Sequence, residues 1–101
     1  MSNPISGTFT ATGESENFVP ASQLRRGRFN ISIWGTFTGT VEVQRSFDAG
    51  STWIPVASPD LGQLELTVPV SLSAEETEQG VRYRLACTAY TSGTINYRMS
   101  R

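Results

Sequence analysis

The chain has 101 residues, a formal net charge of −1, 38% apolar residues and a single cysteine, Cys87. That is the size of one domain, able to bury roughly two-thirds of its unfolded surface, and one cysteine excludes an internal disulfide framework. The near-neutral charge gives no bulk attraction to nucleic acid or an anionic membrane, no apolar run approaches the ~18 residues of a membrane span, and Met1–Ser6 lacks the charged and apolar regions of a secretory signal. The chain reads as a complete small product made in the cytoplasm, with neither nucleic acid nor a membrane as partner.

Thr, Ser, Val, Ile and aromatic residues dominate, while the usual helix fillers are few, a composition that points to all-β structure. In chain order, Ile5, Gly7, Phe9 and Ala11 alternate with polar residues as a short strand. Residues 1–12 are either this edge strand or a flexible arm. Gly13–Glu16 breaks the run, and Asn17–Pro20 is expected to return alongside it. Arg25, Arg26 and Arg28 form the only basic cluster, without the interleaved aromatics of a nucleic-acid site. Phe29, Ile31 and Ile33 then face one way, opposite Asn30, Ser32 and Trp34. Gly35–Gly39 is a turn, and Val41, Val43 and Phe47 share the next inward face.

Ser46–Trp53 is the best-defined stretch. It lies between alternating runs and has the residues of a hairpin turn: Asp48 to accept backbone N–H bonds, Gly50 for positive φ, Ser46 and Thr52 hydroxyls, and Trp53 as an apolar cap. These five residues match Ser-x-Asp-x-Gly-x-Thr-Trp and resemble the Asp-box, a folding device repeated on the blades of sialidases and other β-propellers. A propeller needs about four to eight four-stranded blades, so this length excludes one.

Pro55 marks Trp53–Val56 as an edge, and Ser58–Gly62 is a turn. Leu64, Leu66, Val68, Val70 and Leu72 then alternate strictly, reading as one strand. Ser73 with Glu76 fits a capping box, predicting one short helical turn. Val81, Tyr83, Leu85, Cys87 and Ala89 form an inward face, Thr91–Gly93 turns, and Ile95, Tyr97 and Met99 close the chain. The expected fold is all-β: a single antiparallel β-sandwich of about seven to eight strands, immunoglobulin-like or jelly-roll-like. Tyr83 follows a tight connection, as a tyrosine-corner residue does.

The chemistry expected from these residues is sparse. Histidine is absent, and with it the Ser-His and Cys-His nucleophile pairs. Cys87 lies on an apolar face, where a thiol is inert. Asp48-x-Gly50 lacks the other acidic positions of a calcium loop, and no His or paired Cys offers a zinc site. Glu75, Glu76 and Glu78 share one turn, which reads as solvated rather than as carboxylates facing across a cleft. No enzyme, metal or cofactor is expected. Trp34 on a polar face suits an interface anchor or a sugar-stacking ring, or else lies covered by another segment. Arg82, Arg84 and Arg98 are expected to share one outward face, available for bidentate partner contacts or else paired with Glu42 or Glu65 across the sheet.

From Phe29 to Met99, 71 of the 101 residues, the chain resembles small virion proteins of tailed bacteriophages. The run from Asn30-Ile-Ser-Ile-Trp34 through the Asp-box, and the closing Val81-Arg-Tyr-Arg-Leu-Ala-Cys87 with Ser92–Met99, carry the likeness. It implies a capsid decoration (cement) protein, or a head-fibre or tail-associated β-domain, without active-site residues. Such a structural protein is expected to assemble as a trimer or dimer in the host cytoplasm and to bind the major capsid or other virion proteins. Arg25, Arg26, Arg28 and the N-terminus would dock it. The alternative is a carbohydrate-binding module or adhesin domain for host attachment, with an aromatic platform around Trp34 or Tyr90 against the glycan.

Overall fold

Period-2 burial sets the layers. The computed structural model describes residues 4–20, 27–58, 62–63, 65–76, 78 and 80–100, and among them all regular structure is β. The strands are β1 (Ile5–Phe9), β2 (Gly13–Glu14), β3 (Gly27–Trp34), β4 (Phe37–Ser46), β5 (Ile54–Pro55), β6 (Ala57–Ser58), β7 (Gly62–Gln63), β8 (Glu65–Leu66), β9 (Val70–Glu76), β10 (Arg82–Gly93) and β11 (Ile95–Ser100). One antiparallel sheet has the order β1-β11-β3-β9; the other has β2-β10-β4-β5, with β8 also paired to β4. Nine strands therefore build the sandwich, more than expected, and β6–β7 is a separate hairpin. Phe29, Ile31, Ile33, Val41, Val43, Leu85, Ile95 and Met99 are almost wholly buried between the sheets, the inward half of each alternating run.

Both long hairpins turn a corner from one sheet to the other. β3 passes to β4 at Gly35 and β10 passes to β11 at Gly93, with φ of 117° and 90°, and the Thr94 N–H joins the corners by bonding the Thr36 carbonyl at 3.0 Å. A Cβ at Gly93 would land on the Thr36 carbonyl oxygen, so glycine here serves both its positive φ and a close backbone approach. The expected turns at 35–39 and 91–93 are correspondingly shorter, since β4 starts at Phe37 and β10 runs through Gly93.

Three expectations are corrected. The proposed helical turn at Ser73–Glu76 is the end of β9, paired with β3 from Gly27↔Glu76 to Ile33↔Val70; the partner strand outweighs the local capping signal. The expected strand over 64–72, whose Leu64 lies outside the described residues, is divided: Leu66 pairs with Val41 in one sheet and Val70 with Ile33 in the other. Thr67–Pro69 crosses between them, where proline cannot donate to a ladder, and Val68 is 61% exposed. Asn17–Pro20 does not return along β1. Phe18 instead exchanges two 2.8 Å backbone bonds with Tyr83, placing residues 13–18 on the edge of the opposite sheet.

Smaller shifts have local causes. A bulge between Cys87 and Ala89 reverses the alternation and leaves Ala89 exposed. Phe47 lies beyond the end of β4 and is 54% exposed.

Replacing Gly93 by alanine should lower stability by about 2–4 kcal/mol, combining backbone strain with a steric clash. Urea denaturation of the variant measures this; an unchanged midpoint would mean the corner relaxes freely.

Candidate functional site

Four surfaces gather the residues with chemical potential. The first is the Asp-box. Ser46 ends β4 on its outward side yet is fully buried, because the loop folds over it. Its hydroxyl accepts the Gly50 N–H at 2.9 Å and donates to Asp48 Oδ1 at 2.8 Å, and Asp48 Oδ1 accepts the Thr52 N–H at 2.8 Å. Ala49 and Gly50 both take positive φ. Bonds from the Thr52 side chain and backbone and from Ser46 hold the Asp48 carboxyl below its ordinary range. Trp53 lies under the Arg84 guanidinium, 4.4 Å from ring centroid to Cζ, a cation–π contact. The five box residues thus act as a turn with its own hydrogen-bond closure.

The second surface was not legible as a unit. Arg45 has the inward parity of Val41 and Val43 on β4, and Glu76 has the inward parity of Leu72 and Ala74 on β9. They meet at the open end of the sandwich. Arg45 Nε and Nη2 reach the two Glu76 carboxylate oxygens at 2.5 and 2.9 Å, the Tyr83 hydroxyl donates to Glu76 at 2.9 Å, and so does the Glu78 N–H. Glu76 is 5% exposed, a correction to its expected solvated position. Tyr83 therefore donates to a carboxylate, where a tyrosine corner would bond to backbone.

Burial alone would raise the Glu76 carboxyl, but the Arg45 guanidinium, the Glu78 N–H and the Tyr83 hydroxyl outweigh it and hold it at about 2, against an ordinary 4.5. Burial and the adjacent Glu76 push the Tyr83 hydroxyl up to about 12. The Glu76 bond also raises Arg45 above its already high value. Beside this cluster lies a cavity of about 400 Å³, lined by Arg45, Ile54, Pro55, Val56, Glu75, Glu76 and Tyr83.

The third surface is the outer face of the β1-β11-β3-β9 sheet. Its rows follow from the register: Thr8, Asn96 and Trp34; then Ser6, Arg98, Ser32 and Ser71; then Ser100, Asn30 and Ser73; then Arg28 and Glu75. Trp34 is 47% exposed at one end, and Asn96 Nδ2 donates to its carbonyl oxygen at 3.2 Å. The Ser32 and Ser71 hydroxyls are bonded at 2.7 Å. Arg28 pairs with Glu75 at 3.6 Å, an exposed bridge that contributes little. Arg98 Nη1 donates to the Ser100 hydroxyl at 3.0 Å.

The fourth is the outer face of the other sheet, where Arg84 Nε donates to Gln44 at 2.6 Å and Gln44 donates to Glu42 at 2.7 Å. The expected common face for Arg82, Arg84 and Arg98 does not form. β10 and β11 belong to different sheets, so Arg98 faces away from Arg82 and Arg84 on the opposite side of the sandwich. Arg84 is engaged by Trp53 and Gln44, while Arg82 stands opposite Ser46 in register and partly buried. Arg25 and Arg26 lie outside the described residues. Cys87 is buried, its thiol pushed up by burial and its Sγ 3.4 Å from the Ala89 carbonyl oxygen.

These surfaces belong to an all-β sandwich. No family model, curated protein or solved structure matches the chain.

Glu76 is ionised at a lower pH in the folded chain than in the unfolded one. Its contribution is therefore complete above about pH 4.5 and is lost as pH falls toward 2. The gap from 4.5 to about 2 corresponds to roughly 3 kcal/mol. Denaturation between pH 7 and pH 2 should show this loss, and Glu76→Gln should flatten the profile. Glu76→Ala should cost about 2–4 kcal/mol at pH 7 by leaving Arg45 only the longer 4.0 Å pairing with the exposed Glu78; retained wild-type stability would mean water replaces the carboxylate.

Proposed function

We propose that the protein is a non-enzymatic virion structural protein of a tailed bacteriophage, decorating and stabilising the capsid or tail through protein–protein contacts. The main support is that the one buried carboxylate among the described residues is tied up in a structural clamp: Glu76 carries four hydrogen bonds from Arg45, Tyr83 and the Glu78 backbone. What this leaves for function is sheet faces and edges. The likeness of Phe29–Met99 to phage virion β-domains supports the same reading. A decoration protein stabilises a shell by binding only its assembled form, which requires a rigid body with exposed contact surfaces more than it requires a reactive pocket. Arg28, the member of the basic cluster that lies on β3, is 76% exposed at its side chain and held only by the exposed pairing with Glu75, so an acidic partner surface can compete for it.

Mass spectrometry of density-banded particles from cells carrying the gene tests this. The chain should band with the particles in defined stoichiometry. Its absence from purified particles would overturn the reading.

A second reading, glycan binding, is favoured by one observation: Trp34 stands exposed at the end of a sheet face otherwise made of Ser, Thr, Asn, Arg and Glu. Aromatic rings present flat apolar area with a polar handle, a surface suited to the C–H face of a sugar. Under this reading calorimetry with host polysaccharide gives a saturable signal that Trp34→Ala reduces at least about tenfold, roughly 1.4 kcal/mol. A flat titration of the native protein removes it.

A further inference from the structure

We infer that the protein pairs with a second copy of itself through the outer edge of β9, about a two-fold axis at Leu72, deepening the assembly part of the structural reading above. β9 is bonded on one side to β3 and has no strand on its other side among the described residues. Its register with β3 is unbroken over seven pairs, so no bulge turns the edge away. Residues Val70-Ser-Leu-Ser-Ala74 contain no charge and no proline, the two devices that usually protect an edge from pairing. The inward-facing Val70, Leu72 and Ala74 are only half-buried against the core.

The occupant follows from what lies at the two ends of this strand. Just before it stands Val68, 61% exposed, the most exposed of the large apolar residues among those described. At its far end lies the 400 Å³ cavity, lined on the apolar side by Ile54, Pro55 and Val56, with Ile54 itself 45% exposed. An antiparallel pairing with Leu72 opposite Leu72 sets Val70 opposite Ala74 and Ser71 opposite Ser73. It also sets Val68 of each copy opposite Glu76 of the other, at the mouth of that cavity. Each copy thus brings its exposed valine to the partner's apolar hollow, twice by symmetry, as an isologous interface demands. Pro69, with no N–H to give, falls opposite Glu75 and ends the ladder at five residues per strand. The two acidic ends lie at opposite ends of the seam, about 20 Å apart at the strand rise. A five-residue ladder alone is smaller than the ~1,200 Å² of a standard stable interface, so the two valine seats are needed and the dimer is concentration-dependent.

Sedimentation equilibrium tests the inference on the native chain and on Val68→Asp, which alters an exposed residue and sets a carboxylate against Glu75 and Glu76. The native chain should pass from its 11.0 kDa monomer mass to twice that over the micromolar range. Val68→Asp should remain monomeric at least tenfold higher in concentration, with an unchanged melting curve. A native monomer at millimolar concentration, or a dimer indifferent to Val68→Asp, overturns the pairing. Oxidation should cross-link Leu72→Cys but not Ser73→Cys, and the reverse pattern would move the axis and also overturn it. None of these outcomes depends on whether the chain is found in particles, so the assembly surface and the virion role fail separately.

Discussion

The fold depends on one buried carboxylate. Glu76 is the last residue of β9 in one sheet, and it is held by Arg45 of β4 and Tyr83 of β10 in the other. An ionised group inside a protein carries a desolvation cost of several kcal/mol unless its lone pairs are occupied. Here four donors occupy them, so the sheets at this end can close only in the register that brings all of these donors to one point. Apolar contacts between the sheets stabilise more in total, but they are non-directional. The Glu76 cluster contributes orientation, and the aromatic group beside it, with Phe29 and Tyr83 rings 4.7 Å apart and Phe18 and Phe29 rings 5.9 Å apart, fills the space beneath.

The opposite end is closed by backbone. The Gly35 and Gly93 corners carry two strands each from sheet to sheet and are joined by the bond from Thr94 to Thr36. One end therefore relies on side-chain charge and the other on glycine geometry. Between them the core needs only alternation, which explains how a chain with one cysteine and few leucines builds a sandwich. The division leaves on the outside a polar face ending in Trp34, a second face braced by Arg84 on Trp53, and the β9 edge beside a cavity.

The proposed contact role and this arrangement share one physical requirement. A protein that acts by contact needs surfaces held rigidly, because each mobile group ordered on binding lowers affinity. The Asp-box fixes the β4–β5 end by closing its loop on Ser46 and Asp48, and the clamp fixes the neighbouring end of β9. Both flank the open side of the sandwich.

The sequence by itself determined the all-β class, the inward residues of most strands and the Asp-box turn. Each depends on local information: strand alternation has a period of two residues, and the box closes within eight. Tertiary structure decided which sheet each strand joins, that 64–72 is divided at Pro69, and that Ser73–Glu76 extends as strand despite its capping pattern. It alone brought Glu76 to Arg45, 31 residues away in the chain, and set Arg98 apart from Arg82 and Arg84. A trace of the clamp is present in the sequence, since Arg45 and Glu76 are charges of opposite sign, each at an inward position of an alternating run. Alternation reports which way a side chain points and carries no information about the strand it will face. That choice belongs to pairing between distant segments, and here it placed Glu76, the one buried carboxylate among the described residues.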